Sequence, residues 1–172
     1  MSSEECNANL RQMVEQAARR DDVVEAVGRV YAQLQAEIDA RKPLCSASGR
    51  CCRFEEFGHR LYVTTLELAA FFRQVLPSSE PWDGTGCPFQ TGGLCSVHLI
   101  RPFGCRVFFC DSTSEDWQHA QYERFHADLK RLHEQFDVPY RYVEWRQALR
   151  ELDLAGKEVA SVNPLSLPQL PL

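Results

Sequence analysis

The sequence predicts a mostly α-helical fold built around an irregular, metal-organised centre with at most one or two short strands. Apolar residues recur at spacings of three and four in both outer parts of the chain. Seven of the eight cysteines fall within residues 44–111, together with most of the glycines. We therefore divide a single 172-residue domain into a helical segment 1–43, a cysteine core 44–111, a helical segment 112–155 and an extended Pro/Leu-rich tail 156–172.

The N-terminal segment has helical periodicity from Leu10 to Ile38. Asp22 and Glu25 have the spacing of a capping box, which predicts a break between two helices near residues 20–22. Pro43 ends the segment, because proline cannot continue a helix without losing a backbone hydrogen bond.

Within the cysteine core, residues 60–63 have the composition of a short strand. Thr64 and Glu67 form a second capping-box pattern, which predicts a helix running to about Val75. The remainder is predicted to be loop, and a loop of this length inside a compact domain requires another organiser, such as a metal.

The C-terminal segment is predicted to contain two helices. Ser112 and Glu115 have capping spacing before the first, and Pro139 suits the start of the second. The first has an apolar face formed by Tyr122, Phe125, Leu129, Leu132 and Phe136. Three prolines among the leucines of residues 163–172 favour an extended tail.

Charge and hydropathy exclude several classes of protein. The chain has 19 Lys+Arg against 24 Asp+Glu and no long basic run, so we expect no nucleic-acid partner. Its apolar stretches are far shorter than the ~20 residues that cross a bilayer, and residues 1–13 lack the features of a secretory signal. We expect a cytoplasmic protein without a membrane partner. A protein partner and the oligomeric state are left open.

In the cytoplasm thiols stay reduced, so the cysteines indicate a metal site or catalytic thiols rather than disulfides. No CxxC pair is present, which argues against a simple zinc ribbon. In an extended backbone Cys51 and Cys52 would point to opposite sides, so we expect them to bind differently. The predicted metal ligands are Cys45, Cys51, Cys52, Cys87, Cys95, Cys105 and Cys110.

These ligands are compatible with two kinds of centre. Seven thiols and one imidazole would complete two tetrahedral zinc sites, whereas four thiols would hold one iron–sulfur cubane, which we prefer. His98 is the candidate imidazole, although a hydrogen-bonding role beside the ligands is the stronger expectation. Arg101 and Arg106 bracket Cys105, and we expect them to offset the charge of the thiolates.

Four further candidates are weaker. Cys6 lies far from the other cysteines and is predicted to be a bystander. His119, His126 and His133 recur every seven residues along one helix flank, and we expect them to be surface or packing residues.

The order of motifs in residues 44–111 resembles the YkgJ-like cysteine-cluster family, described as a zinc- or iron-chelating domain. The motifs are Gly49-Arg-Cys-Cys-Arg53, the Thr64–Glu67 cap, Cys87-Pro-Phe89, Gly93-Leu-Cys-Ser-Val-His98 and Arg101-Pro-Phe-Gly-Cys-Arg106 through Cys110. The resemblance implies metal chelation by these cysteines, but neither a particular metal nor a reaction. The five-residue gap after Cys45 departs from the family pattern and leaves the role of that residue open.

The expected function is that of a metal-binding cysteine-cluster protein holding zinc or an iron–sulfur cluster. A metal- or iron–sulfur-dependent modifying enzyme is the alternative, since related clusters resemble the core of a flagellin lysine methylase. A thiol redox protein is a third interpretation, without the CxxC motif of thioredoxins. Whether the protein is an enzyme is left open.

Overall fold

The computed structural model describes residues 3–76 and 82–155. In these ranges the chain forms helices α1 (Ser3–Ala18), α2 (Asp21–Arg41), α3 (Phe54–Phe57), α4 (Thr65–Phe72), α5 (Phe103–Val107), α6 (Glu115–Gln135) and α7 (Trp145–Glu151). Four short strands are β1 (Tyr62–Thr64), β2 (Gln90–Thr91), β3 (Leu94–Cys95) and β4 (Tyr142–Glu144). The prediction of a mostly α fold is confirmed. None of the helices in the described ranges is long and apolar enough to cross a membrane. The predicted tail 156–172 lies outside the described residues.

The first two helices are separated at the predicted position, but not by the predicted cap. Arg20 occupies the N-cap of α2 in an extended conformation, with no side-chain cap hydrogen bond. Its guanidinium instead pairs with Asp22 and donates to the Phe136 carbonyl at 2.7 Å. The break is therefore fixed by a contact with the C-terminal end of α6, which local sequence cannot reveal.

The capping box at the start of α4 is present as predicted. The Glu67 amide donates to the Thr64 hydroxyl at 3.3 Å, and the Thr64 amide donates to the Glu67 carboxylate at 2.8 Å. The other carboxylate oxygen accepts from the Phe103 amide at 2.9 Å, at the start of α5. Glu67 is 2% exposed, and this burial raises its pKa, although the hydrogen bonds and Arg106 act in the opposite direction.

The number of strands and the start of the last helix were predicted incorrectly. β1 pairs antiparallel with β4, with Val63 opposite Val143, and β2 pairs antiparallel with β3. Residues 142–144 therefore form a strand rather than the beginning of a helix at Pro139. The helix begins at Trp145, after Glu144 accepts a capping hydrogen bond from the Gln147 amide at 2.9 Å. Because β1 and β4 are far apart in sequence, neither has a nearby hairpin turn that would predict it.

Two of the three apolar clusters in the described residues contain side chains of α5 or partly buried cysteines, and so border the cysteine core. One joins α1, α4 and α7 through buried side chains that include Leu10, Phe71 and Trp145, and Cys87, Cys95 and Cys105 pack against it. The other joins α2, α5 and α6 through residues such as Leu34, Phe103 and Phe125. The outer helices thus form the support on which the irregular centre lies.

Replacing Glu67 with alanine should lower the free energy of unfolding by about 2–4 kcal/mol, because the buried amides of Thr64 and Phe103 would lose their acceptor. Urea unfolding measures the difference. Glu123→Ala, at an exposed position in α6, is the control. The interpretation is wrong if the two variants lose the same stability.

His133 should make the fold less stable as the pH falls. Its ring is 3% exposed, its Nδ1 lies 2.9 Å from the Val138 carbonyl, and its Nε2 has no partner among the described residues. Burial lowers its pKa below 6.5. The unfolded chain therefore takes up a proton near pH 6.5 that the folded chain does not, and stability decreases below that pH.

The measurement is the change in unfolding free energy between about pH 7 and pH 5. His133→Gln should reduce this change, whereas His119→Gln, at an exposed position of the same helix, should not. An equal pH dependence in wild type and His133→Gln would contradict the assignment.

Candidate functional site

The structure brings together thiols from four separate segments of the core. They are Cys51, Cys52, Cys87, Cys95 and Cys105. The side chain of Cys52 is at their centre and hydrogen-bonds with Cys51, Cys87 and Cys95. Cys105, in α5, is half-buried and interacts electrostatically with Cys51, Cys87 and Cys95. We refer to these residues as the five-thiol cluster.

Cys51 and Cys52 lie in a 3₁₀ turn, Arg50–Cys52, and not in the extended backbone assumed from sequence. The turn allows the two neighbouring thiols to interact with each other. The expectation that they point to opposite sides was therefore based on the wrong local conformation. A sequence of two adjacent cysteines does not distinguish an extended segment from a tight turn.

Backbone hydrogen bonds hold the cysteine segments in register. The Cys87 amide donates to the Cys52 carbonyl at 2.8 Å, which joins the second segment to the first. The Gln90 side chain donates to the carbonyls of Gly49 and Gly93, at 3.0 and 3.2 Å, and so ties the turn to the β2–β3 hairpin that carries Cys95.

Gly49 is required by this close approach. Its φ is +67°, and a Cβ at this position would overlap the Gly93 carbonyl oxygen and the Gln90 Nε2. Glycine adopts this left-handed conformation without the strain of a side chain. The residue thus allows the Cys51–Cys52 turn to lie directly against the hairpin.

The mutual contacts shift the pKa values of the thiols in opposite directions. Hydrogen bonding from Cys52 lowers the pKa of Cys51 to about 6 and that of Cys95 to about 7. The same hydrogen bond lowers the pKa of Cys87. The pKa of Cys52 is raised, chiefly by its hydrogen bonds with the neighbouring thiols, and that of Cys105 is raised by burial. Cys52 is therefore the donor that stabilises thiolates around it.

Two buried N–H groups next to the cluster lack partners among the described residues. The Arg101 Nε is buried without a hydrogen-bond partner, and the positive charge of Arg101 favours the thiolate forms of Cys51, Cys95 and Cys105. The Trp145 Nε1 is also buried without a well-formed hydrogen bond, and it faces Cys87, whose pKa it helps to lower. Both groups are suited to a site that carries negative charge.

The contacts of His98 and Arg106 differ from those of Arg101 and Trp145. His98 is exposed, and its pKa is lowered by partial burial and by the charges of Arg101 and Arg106. The Arg106 side chain donates to the carbonyls of Arg101 and Leu99, at 2.8 and 2.6 Å, and its guanidinium lies over the Tyr31 ring. Arg106 thus holds the turn that leads to Cys105, a positioning role.

Cys45 and Cys110 are both exposed, and the contacts that define the cluster do not include them. They lie in segments joined by a hydrogen bond of 3.1 Å from the Leu44 amide to the Asp111 carboxylate. No disulfide forms among the described cysteines. Cys6 belongs to α1, away from the four cluster segments in the sequence.

A cleft of about 360 Å³ lies beside the cluster, and Cys51 and Cys105 are among its lining residues. The other lining residues are Phe54, His59, Arg60, Leu61, Tyr62, Gly104, Val107, Phe108, Gln118, His119, Tyr122 and Tyr142. Sequence analysis did not predict this cleft, because its walls come from β1, β4, α5 and α6, which are far apart in the sequence. The signal available was the exposed aromatic residue on each strand of the β1–β4 pair.

The three histidines of α6 have different environments, which their seven-residue spacing along one helix flank did not predict. His133 is buried, and His126 stacks on Tyr142 with ring centroids 4.9 Å apart. His119 lines the cleft. The expectation of surface or packing roles holds for all three, since His119 is exposed.

As arranged, no group of three or more Cys, His, Asp and Glu side chains within residues 3–76 and 82–155 has the geometry of a metal site. The cluster thiols are instead hydrogen-bonded to one another.

Comparisons with protein-family models, curated proteins and solved structures found no match to this chain. The family resemblance therefore stays a prediction.

Replacing Gly49 with alanine should destabilise the fold by about 2 kcal/mol, because the new methyl group adds steric overlap to backbone strain. Gly92→Ala is the matched control, since Gly92 has φ +58° but open space around its Cβ position. Thermal unfolding of both variants separates overlap from strain. Equal losses would show that the contact with Gly93 and Gln90 does not matter.

Proposed function

We propose that the protein binds a single metal centre through the five-thiol cluster, with an iron–sulfur cluster preferred to zinc. The observation that supports this most is the convergence of thiols from four segments, whereas Cys45 and Cys110 are exposed. Packing of an apolar core does not by itself require five thiols in one place.

The chemistry of the donors fits this proposal. Thiolates are the soft ligands that zinc and iron–sulfur clusters prefer. Metal binding would replace the S–H contacts of Cys52 by metal–sulfur bonds and release protons. Cys51, Cys52, Cys87 and Cys95 would hold a four-thiolate centre, with Cys105 as the fifth thiol beside it. A bound iron–sulfur cluster would supply one-electron transfer.

The surrounding charge also fits. Several thiolates bound to one centre concentrate negative charge, and Arg101 is placed to offset it. The buried Nε of Arg101 has no partner in the described part of the chain. A thiolate or cluster sulfide would supply the missing acceptor.

The arrangement favours one centre over two zinc ions. Two tetrahedral zinc ions would require the seven predicted thiols together with His98. In the structure His98, Cys45 and Cys110 are all exposed. We therefore leave Cys45 and Cys110 out of the proposed ligand set.

Purification without oxygen, followed by iron, zinc and sulfide analysis, tests the proposal. We expect a brown protein containing iron and acid-labile sulfide. Cys52→Ser should lose most of this metal, because serine is a harder and poorly ionised ligand and Cys52 contacts three other thiols. Cys110→Ser, at an exposed cysteine, is the control and should keep the metal of the wild type.

Two other results are informative. Stoichiometric zinc without sulfide, lost in Cys52→Ser but kept in Cys110→Ser, would support a single centre in the five-thiol cluster and identify its metal as zinc. A wild-type protein with neither metal, or metal that Cys52→Ser keeps in full, would exclude the proposal.

A metal-dependent modifying enzyme is the second candidate. The cleft supports it, because two of the five thiols line a space large enough for a small substrate.

A further inference from the structure

The walls of the cleft beside the cluster are aromatic. Tyr62 stacks on Tyr142 with ring centroids 5.3 Å apart, and His59 stacks on Phe108 at 5.6 Å. Tyr62, Phe108 and Tyr142 are each 38–39% exposed, so their rings face solvent at the cleft. Exposed large aromatic side chains that gather around one concave space are typical of a ligand site.

Hydrogen bonds fix this wall in place. The hydroxyls of Tyr122 and Tyr142 hydrogen-bond with each other, which joins α6 to β4 across the cleft. The Nε2 of His59 lies 3.1 Å from the Cys51 carbonyl oxygen. This contact attaches the stacked rings of His59 and Phe108 to the cysteine turn. The aromatic surfaces are therefore held in position before any ligand arrives.

One cationic side chain, Arg60, lines the cleft. Among the described residues that line it, none is Asp or Glu, Arg60 is the one arginine, and Cys51 is a thiol whose pKa is lowered to about 6. Arg60 is exposed and makes no ion pair within the described ranges. An arginine without a carboxylate partner, lining the same cleft as several aromatic side chains, is suited to an aromatic ligand that carries a negative charge.

We infer that this cleft binds a small aromatic anion, with its ring between the aromatic walls and its carboxylate or similar group against Arg60. The volume of about 360 Å³ is at the small end of ligand sites, which fits a ligand of one or two fused rings. Cys51 and Cys105 lie at the same cleft, so the ligand would sit beside the cluster. Binding itself requires no metal.

The test uses 2-naphthoate as the probe and 2-naphthamide, its uncharged counterpart, in calorimetric titrations of the purified protein. We expect saturable binding of 2-naphthoate with a dissociation constant below about 1 mM, and binding of the amide about tenfold weaker. Arg60→Gln should weaken 2-naphthoate binding about tenfold and leave amide binding unchanged. Phe108→Leu, which keeps an apolar side chain but removes the ring, should weaken both.

Arg29→Gln is the charge control, because Arg29 is 64% exposed on α2, away from the cleft lining. It should leave both affinities unchanged. Absence of saturable 2-naphthoate binding would overturn the inference, as would equal affinities for acid and amide. So would binding that neither Arg60→Gln nor Phe108→Leu alters. Metal content is measured separately, so failure here and failure of the metal proposal are distinguishable.

Discussion

The hydrogen bonds of the buried Glu67 carboxylate join the start of α4 to the start of α5, and the position of the cysteine core depends on them. One of its oxygens caps α4 through Thr64, and the other accepts the Phe103 amide at the start of α5. A side chain chosen for a local helix cap thus also fixes the helix that carries Cys105. Burial raises the pKa of Glu67, so desolvation disfavours its charged form, but its hydrogen bonds compensate for part of that cost.

Whereas Glu67 interacts with backbone amides, the polar groups of the cysteine core interact chiefly with each other. Its thiols satisfy one another, with Cys52 as the shared donor, and Arg101 contributes a positive charge to them. Two of the partially buried thiols, Cys87 and Cys95, also pack against the apolar cluster of α1, α4 and α7. A network of this kind is sensitive to the loss of one member, because its groups have few other partners.

Sequence periodicity predicted the long helices well, since α2 and α6 bury apolar faces at helical spacing. The capping box of α4 was also predictable, because its partners are three residues apart. β1 and β4 were not, because strand pairing between distant segments leaves little local signal. The cysteine spacing could not identify the 3₁₀ turn at Cys51 and Cys52 or the aromatic cleft built from distant elements, because neither has a local pattern in the sequence.

The pairing of β1 with β4 has a consequence for the order in which the chain is made. Tyr62 in β1 is synthesised long before its partner Glu144, and all five cluster thiols lie before β4 in the sequence. During translation the complete set of thiols therefore exists while one wall of the cleft is still missing. Because the N-terminal parts of a chain emerge first, every segment that carries a cluster thiol is made before β4 can pair with β1.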